Sequence, residues 1–194
     1  SFTVQQSMFY IMTNVVCPMF FLMIPLMASS VTAACSFVGE KERGTIQTLL
    51  LTPLSLKSIF KAKVLGCIIL SGISTAISFV VYSIVISIGD IILKMPFFLN
   101  WNWLVLVLLL APAITVFGVI FMVLVSGRSK SYMESFQTSG YIVLPIVLLF
   151  VGQFTGLFQL NAIILLMIAV GVILVDLILW FLAARSFTPE KLLK

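Results

Sequence analysis

The sequence predicts an all-α, polytopic membrane protein, and its composition and hydropathy pattern support this fold class. Of 194 residues, 62% are hydrophobic and 9% are charged, against about 25% charged residues in typical soluble domains. A water-soluble globular protein needs more surface charge, and a disordered chain needs lower hydrophobicity. The apolar runs are continuous and long enough for helices that cross a bilayer. They do not alternate with polar residues, which excludes a transmembrane β-barrel.

The charged residues divide the chain into five predicted spans. Four segments carry no charge: 1–39, 64–89, 95–127 and 135–175. The last is too long for one span, and the polar, glycine-containing stretch 152–161 lets it fold back once. We therefore place helices near 15–38, 64–88, 103–125, 136–152 and 162–184. The less apolar residues 1–14 either lie at the interface or extend the first helix.

The basic residues predict the orientation of these helices. Ten of the eleven lie in 40–63, in 126–135 or in the tail from Arg185, and the positive-inside rule places such segments in the cytoplasm. We therefore expect a multi-pass protein of the cell membrane whose chain begins outside and ends inside. The odd number of spans, and an opening at Ser1 without initiator methionine or basic flank, lead us to expect a missing first helix.

Several kinds of chemistry are excluded by what the sequence lacks. It has no histidine, so a Ser-His-Asp triad, a Cys-His dyad and an imidazole metal site are ruled out. Its three cysteines form no CxxC pair, and no Walker A motif occurs. We therefore expect no enzyme activity, no bound metal and no bound cofactor in this chain, and no nucleic-acid partner. Membrane lipids surround it.

The most informative stretch of the sequence is 39–55, which follows the first span. Its alternating charges precede Gly44, which allows a turn, and Thr45, which can cap a short helix. That helix would carry Ile46, Leu49 and Leu50 on one apolar face and end before Pro53. Ser55 would cap the next helix, whose lysines Lys57, Lys61 and Lys63 would reach lipid phosphates. Periodicity favours a docking helix and an ordinary cytoplasmic loop about equally.

The same stretch resembles the signature of ABC-2 type transporter permeases, the membrane subunits of bacterial ABC exporters. The similarity lies in Glu40-Lys41-Glu42-Arg43-Gly44-Thr45 and then in Leu49-Leu50-Leu51-Thr52-Pro53-Leu54-Ser55. Weaker similarity lies in Ser129-Lys130-Ser131 with Glu134, and in the tail from Phe187. The similarity covers the whole of 1–194 and is sharpest over 40–63. It implies that the chain forms a single transmembrane domain.

The resemblance implies a permease of six helices, of which this chain carries helices two to six. An extracytoplasmic domain, as in sodium- or drug-export permeases, would precede Ser1. The 40–63 loop would hold the coupling helix that docks on a separate cytoplasmic ATPase, which binds ATP and Mg²⁺. A second permease subunit, identical or homologous, would complete the translocation path. The implied ATPase-coupling residues are Glu40, Glu42, Arg43, Gly44, Thr45, Ile46, Leu49, Leu50 and Pro53.

Inside the predicted spans, Asp176 is the one deeply placed acid. Intramembrane acids are functional candidates, so Asp176 either handles a cation or proton or makes a structural contact.

The small residues of 64–88 predict a packed inner helix, and less strongly a substrate-lining one. An aromatic belt is expected at Tyr10, Trp101 and Trp103, with Tyr132 and Trp180 at the inner side. Kinks are expected at Pro18, Pro25, Pro112 and Pro145.

The alternative to a permease subunit is a stand-alone secondary transporter or channel subunit. Such proteins often carry several embedded charges and an internal repeat. This sequence has one embedded acid and no obvious repeat. An intramembrane enzyme is disfavoured by the absence of histidine, of a metal set and of a GxSxG motif. A non-transporting scaffold would not need the coupling-type segment.

Overall fold

A computed structural model describes residues 3–43, 56–126, 131–156 and 161–186, and within these ranges all regular structure is helical. We name the helices α1 (residues 4–42), α2 (Leu56–Leu93), α3 (Trp101–Ser126), α4 (residues 132–154) and α5 (Ala162–Ser186). Each contains a stretch long and apolar enough to cross a bilayer: Val4–Glu40, Ser58–Leu93, Trp101–Ser126, Met133–Phe154 and Ala162–Ala183. The predicted all-α fold class is therefore confirmed, and the described residues form five helices long and apolar enough to span a membrane.

The first helix begins earlier than the first predicted span. Thr3 caps it, since its hydroxyl accepts from the Gln6 amide while its own amide donates to the Gln6 side chain. α-helical Val4–Ile11 then leads through a π-helical turn at Met12–Val16 into α-helical Cys17–Glu42. Of the two expectations for residues 1–14, the described part therefore extends the first helix.

Helices α1 and α2 run antiparallel and touch along almost their whole length. Near one end, the Gln6 side-chain amide donates to the Leu93 carbonyl at 2.9 Å. In the middle, the hydroxyls of Thr32 and Ser71 are 2.9 Å apart. Near the other end the rings of Phe37 and Phe60 pack 6.0 Å apart, centroid to centroid. The contact spans about 45 Å, which is longer than the roughly 30 Å of bilayer hydrocarbon.

The centre of the bundle is the seam between α1 and α3, which run parallel. Asn100, the N-cap of α3, donates from its side chain to that of Asn14 at 2.7 Å. Further along, Gly118 of α3 lies against Ser29 of α1, and a Cβ at Gly118 would collide with the Ser29 hydroxyl. Helices α2 and α4 pack on α1, and α5 packs on α3. Because α3 begins level with Asn14, the first ten residues of α1 extend about 15 Å past that start.

An aromatic cluster fills the bundle near the start of α3. It consists of Phe21, Phe79, Tyr82, Phe98 and Trp103. Trp103 is 1% exposed, so the prediction that it belongs to an interfacial belt is wrong. Trp101, two residues earlier, is exposed, as is Tyr10. Residues two positions apart on an α-helix point to nearly opposite sides. Trp101 and Trp103 therefore lie on different faces, and only Trp103 faces α1 and α2.

Prolines mark three changes of helix type. Pro18 and Pro112 each lie two residues after a π-helical turn, Met12–Val16 and Leu106–Leu110. Pro145 opens the α-helical part of α4 after a 3₁₀ turn at Gly140–Val143. Proline has no amide hydrogen to donate, and its ring crowds the carbonyl one turn before it, so a wider or tighter turn relieves the contact. Pro25 lies within the α-helical stretch Cys17–Glu42.

The small residues of α2 correct another prediction. Ser71 contacts Thr32 of α1 and Thr75 is buried, but Gly66 and Gly72 are exposed, and a Cβ at either would meet nothing within 4 Å. Helix α2 therefore lies at the periphery of the described bundle and is not a packed inner helix.

The turn expected around 152–161 is present at its described beginning, where Gly156 adopts φ +75° after the last turn of α4.

Candidate functional site

The first candidate site is the junction at which α1 ends and α2 begins. The Lys63 ammonium of α2 forms an ion pair with the Glu40 carboxylate of α1. It also donates to the Ser36 carbonyl at 3.3 Å and lies 5.7 Å from the centroid of the Phe37 ring. Lys63 was expected to reach lipid phosphates, but its ammonium group instead makes three contacts with residues of α1. We call Glu40 and Lys63 the junction pair.

The junction pair is partly shielded from solvent. The Lys63 side chain is 19% exposed and that of Glu40 is 32% exposed. Beside the pair, Phe60 packs between Phe37 of α1 and Trp180 of α5, with both ring centroids 6.0 Å away. Exposed ion pairs contribute about 0–1 kcal/mol, so we expect the pair mainly to fix the register of the two helices.

The remaining residues predicted for ATPase coupling follow the junction pair along the chain. Glu42 lies in the last turn of α1, where its backbone alone is described. Arg43 is exposed, and its amide donates to the Gly39 carbonyl at 3.1 Å. Gly44, Thr45, Ile46, Leu49, Leu50 and Pro53 lie outside the described residues, as does Ser55. Helix α2 begins at Leu56, one residue after the predicted N-cap.

The second candidate site is a groove of about 550 Å³ between α3 and α5. The residues that line it are Leu108, Leu109, Pro112, Ala113, Val116, Ile120, Ile173, Asp176, Leu177 and Trp180. Asp176 is the only ionisable side chain among them. It is 6% exposed, and its Oδ1 has no hydrogen-bond partner in the described part of the chain. We call this cavity the Asp176 groove.

The Asp176 groove lies beside the irregular part of α3. The Ala111 amide donates to the Leu106 carbonyl in a π-helical turn, and Pro112 follows without an amide hydrogen. The carbonyls of that turn therefore have one donor fewer than in a regular helix. Asp176 lies within the apolar stretch Ala162–Ala183 of α5, nearer to its end than to its beginning. A charge is costly within a stretch that can cross a bilayer.

Metal binding finds no support among the described side chains. Within residues 3–43, 56–126, 131–156 and 161–186, no group of three or more histidine, cysteine, aspartate or glutamate side chains could hold a metal ion. Cys17 and Cys35 of α1 and Cys67 of α2 are not joined in disulfides. What the Asp176 groove offers is one carboxylate in apolar surroundings.

Sequence reasoning missed the role of Asp90. Its carboxylate accepts from the Phe98 amide at 2.9 Å, and its carbonyl accepts from the Met95 amide at 2.8 Å. Asp90 is buried, and it orders the turn that leads from α2 to α3, where Lys94 has a positive φ of 51°. An acid in the last turn of a helix, followed by a proline at position 96, was the available signal.

Comparison with known proteins gives no assignment: no family model, curated protein or solved structure matches this chain. The resemblance to ABC-2 permeases therefore stays a prediction from the sequence.

Proposed function

We propose that this chain is the membrane-spanning permease subunit of an ATP-driven exporter of the ABC-2 type. It would form the translocation path with a second permease subunit and couple to a separate cytoplasmic ATPase that binds ATP and Mg²⁺. The observation that carries this proposal is the segment 40–55, whose residues resemble the ABC-2 signature. The segment joins two long helices whose ends are tied together by the junction pair.

Coupling requires that a displacement of the segment reach the membrane helices. The junction pair and the Phe37–Phe60 contact fix the adjoining ends of α1 and α2 to each other. Helix α1 is in turn packed closely on α3 at Ser29 and Gly118. An ATPase that moves the segment would therefore move α1, α2 and α3 together.

The proposed orientation follows from the basic residues and from the need for ATP. A cytoplasmic ATPase can reach residues 40–63 only if this loop is cytoplasmic. The chain would then begin outside the cell membrane and end in the cytoplasm, in agreement with the distribution of lysine and arginine. The pair of helix ends near Gln6 and Leu93 would lie on the outer side.

The decisive test is a substitution on the predicted docking face. We expect Leu49→Asp to abolish co-purification with a candidate ABC ATPase subunit, because a charge would replace a packed apolar contact. Leu51→Asp is the matched control, since position 51 would lie on the opposite side of the predicted helix from Ile46, Leu49 and Leu50. Both variants should reach the membrane in equal amounts. The proposal fails if the ATPase does not associate with the unsubstituted chain, or if it associates equally with both variants.

A stand-alone secondary transporter is the second candidate function, and the buried Asp176 is the observation that favours it. Such a transporter would work in vesicles without an ATPase, driven by a proton or sodium gradient. The two functions are separated by measuring transport in vesicles that hold only this chain. Gradient-driven uptake that is lost in Asp176→Asn would support the second candidate, and uptake that depends on the ATPase would support the first.

A further inference from the structure

The Asp176 groove combines two properties that rarely occur together in a membrane helix bundle. It is lined almost entirely by apolar side chains, and it contains one carboxylate that is 6% exposed and lacks a hydrogen bond at Oδ1 among the described residues. Burying a carboxylate without a partner is costly unless something neutralises it. From this geometry we infer that the groove binds a monovalent organic cation with an apolar body, such as a long-chain amine.

The lining of the groove favours an organic cation over a metal ion. Metal cations require several oxygen ligands arranged around them. The described lining residues supply one carboxylate, and the other side chains are those of leucine, isoleucine, valine, alanine, proline and tryptophan. An ammonium group needs fewer partners, because one carboxylate provides both a hydrogen-bond acceptor and the opposite charge.

The size of the groove and the position of Trp180 support the same ligand class. A volume of about 550 Å³ falls within the roughly 300–1,000 Å³ typical of small-molecule sites. Trp180 lies one helical turn from Asp176 on α5 and lines the same groove. The face of an indole ring attracts a cation. A cation bound at Asp176 would therefore lie near both a carboxylate and an indole ring.

The rim of the groove explains how such a ligand would enter. Leu108 and Leu177 are 72% and 63% exposed on the outer surface of the described bundle. An amphiphile dissolved in the lipid could therefore enter sideways with its apolar part first. A lipid tail alone would fill the space but leave the carboxylate unneutralised, which is why an amine is the better occupant.

As a substrate class for export, this inference rests on the proposed function, but binding itself does not. The test therefore uses the full chain in phosphatidylcholine nanodiscs without an ATPase. The probes are 11-bromoundecylamine and 11-bromoundecanol, whose bromine atoms quench tryptophan fluorescence. They share the same apolar chain and differ in charge. Phosphatidylcholine has no net charge, so the membrane surface does not attract the amine more strongly than the alcohol.

We expect the amine to quench Trp180 at a roughly tenfold lower concentration than the alcohol. This ratio corresponds to a difference in binding free energy of about 1.4 kcal/mol. Asp176→Asn should remove this preference, and Asp176→Glu should retain most of it. In Trp180→Phe, the amine-specific part of the quenching should disappear while Trp101 and Trp103 still report. Size-exclusion profiles of the three variants check that each one folds.

Three outcomes would overturn the inference. One is equal quenching by the amine and the alcohol in the unsubstituted chain. Another is a preference for the amine that persists in Asp176→Asn. The third is an Asp176→Asn variant whose only change is dissociation of a dimer, which would assign the groove to a second copy. An ATPase that fails to co-purify with the chain would refute the coupling function and leave the binding result intact.

Discussion

The face of α3 toward α1 and its face toward α5 are packed differently. On the face toward α1, Gly118 leaves room for the Ser29 hydroxyl, which donates to the Leu26 carbonyl at 2.9 Å. On the face toward α5, Ala113 borders a groove of about 550 Å³. A small residue thus permits close contact on one side and an open space on the other. We call the close contact of α1 and α3 at Gly118 the closed seam, and the side of α3 that borders the groove the open face. Helices α3 and α5 are also packed together, and the groove lies beside their contact.

The largest effect is expected when a side chain is forced into the closed seam. Gly118→Val would drive a branched side chain against Ser29 and the Leu26 carbonyl, at a position where even a Cβ collides. We expect a loss of stability of about 3 kcal/mol or more, seen as a lower melting temperature in detergent. A melting temperature unchanged from the unsubstituted chain would show that α1 and α3 are less closely packed than their geometry indicates.

A smaller effect isolates the contact between the two residues of the closed seam. Gly118→Ala alone should destabilise the protein, because its Cβ meets the Ser29 hydroxyl. In a Ser29→Ala background the hydroxyl is absent, and the nearest remaining atoms are the Cβ of residue 29 at 3.1 Å and the Leu26 carbonyl at 3.4 Å. We expect a coupling of about 1–2 kcal/mol in the double-mutant cycle. Additive effects would place the collision elsewhere.

The smallest effect on stability is expected from a matched substitution on the open face. Ala113→Val lies on the same helix as Gly118→Val, but its extra methyl groups can enter the groove. We expect stability to change by less than about 1 kcal/mol, while binding of 11-bromoundecylamine weakens because the groove is narrower. Melting temperature and tryptophan quenching measure the two effects separately. A large loss of stability would mean that the groove is closed at Ala113.

The number and position of the helices could be predicted because charge is so scarce. Each charge-free run became one or two helices, and the described part of residues 1–14 joined the first. The side chains that face inward could not be predicted, because lipid and protein interior are equally apolar and hydropathy does not separate them. Trp103 and the glycines of α2 were misassigned for this reason: Trp103 is in the core, and Gly66 and Gly72 face outward.

The candidate sites divide in the same way. Asp176 stood out in the sequence because an acid in a span is rare, and the structure places it in a groove. The junction pair was missed, since pairing Glu40 with Lys63 requires knowing that α1 and α2 run antiparallel in that register. The docking face of Ile46, Leu49 and Leu50 lies outside the described residues and stays a prediction.

The long contact between α1 and α2 has a mechanical consequence. Helices α1 and α2 are joined along about 45 Å by the Gln6, Thr32 and Phe37 contacts, so we expect them to move as one rigid body. If this helix pair rotates by about 10° about the junction pair, its far end near Leu93 is displaced by about 8 Å. A rotation too small to disturb the packing near Phe60 would therefore become, at the opposite end, a displacement wide enough to admit a side chain or an alkyl chain.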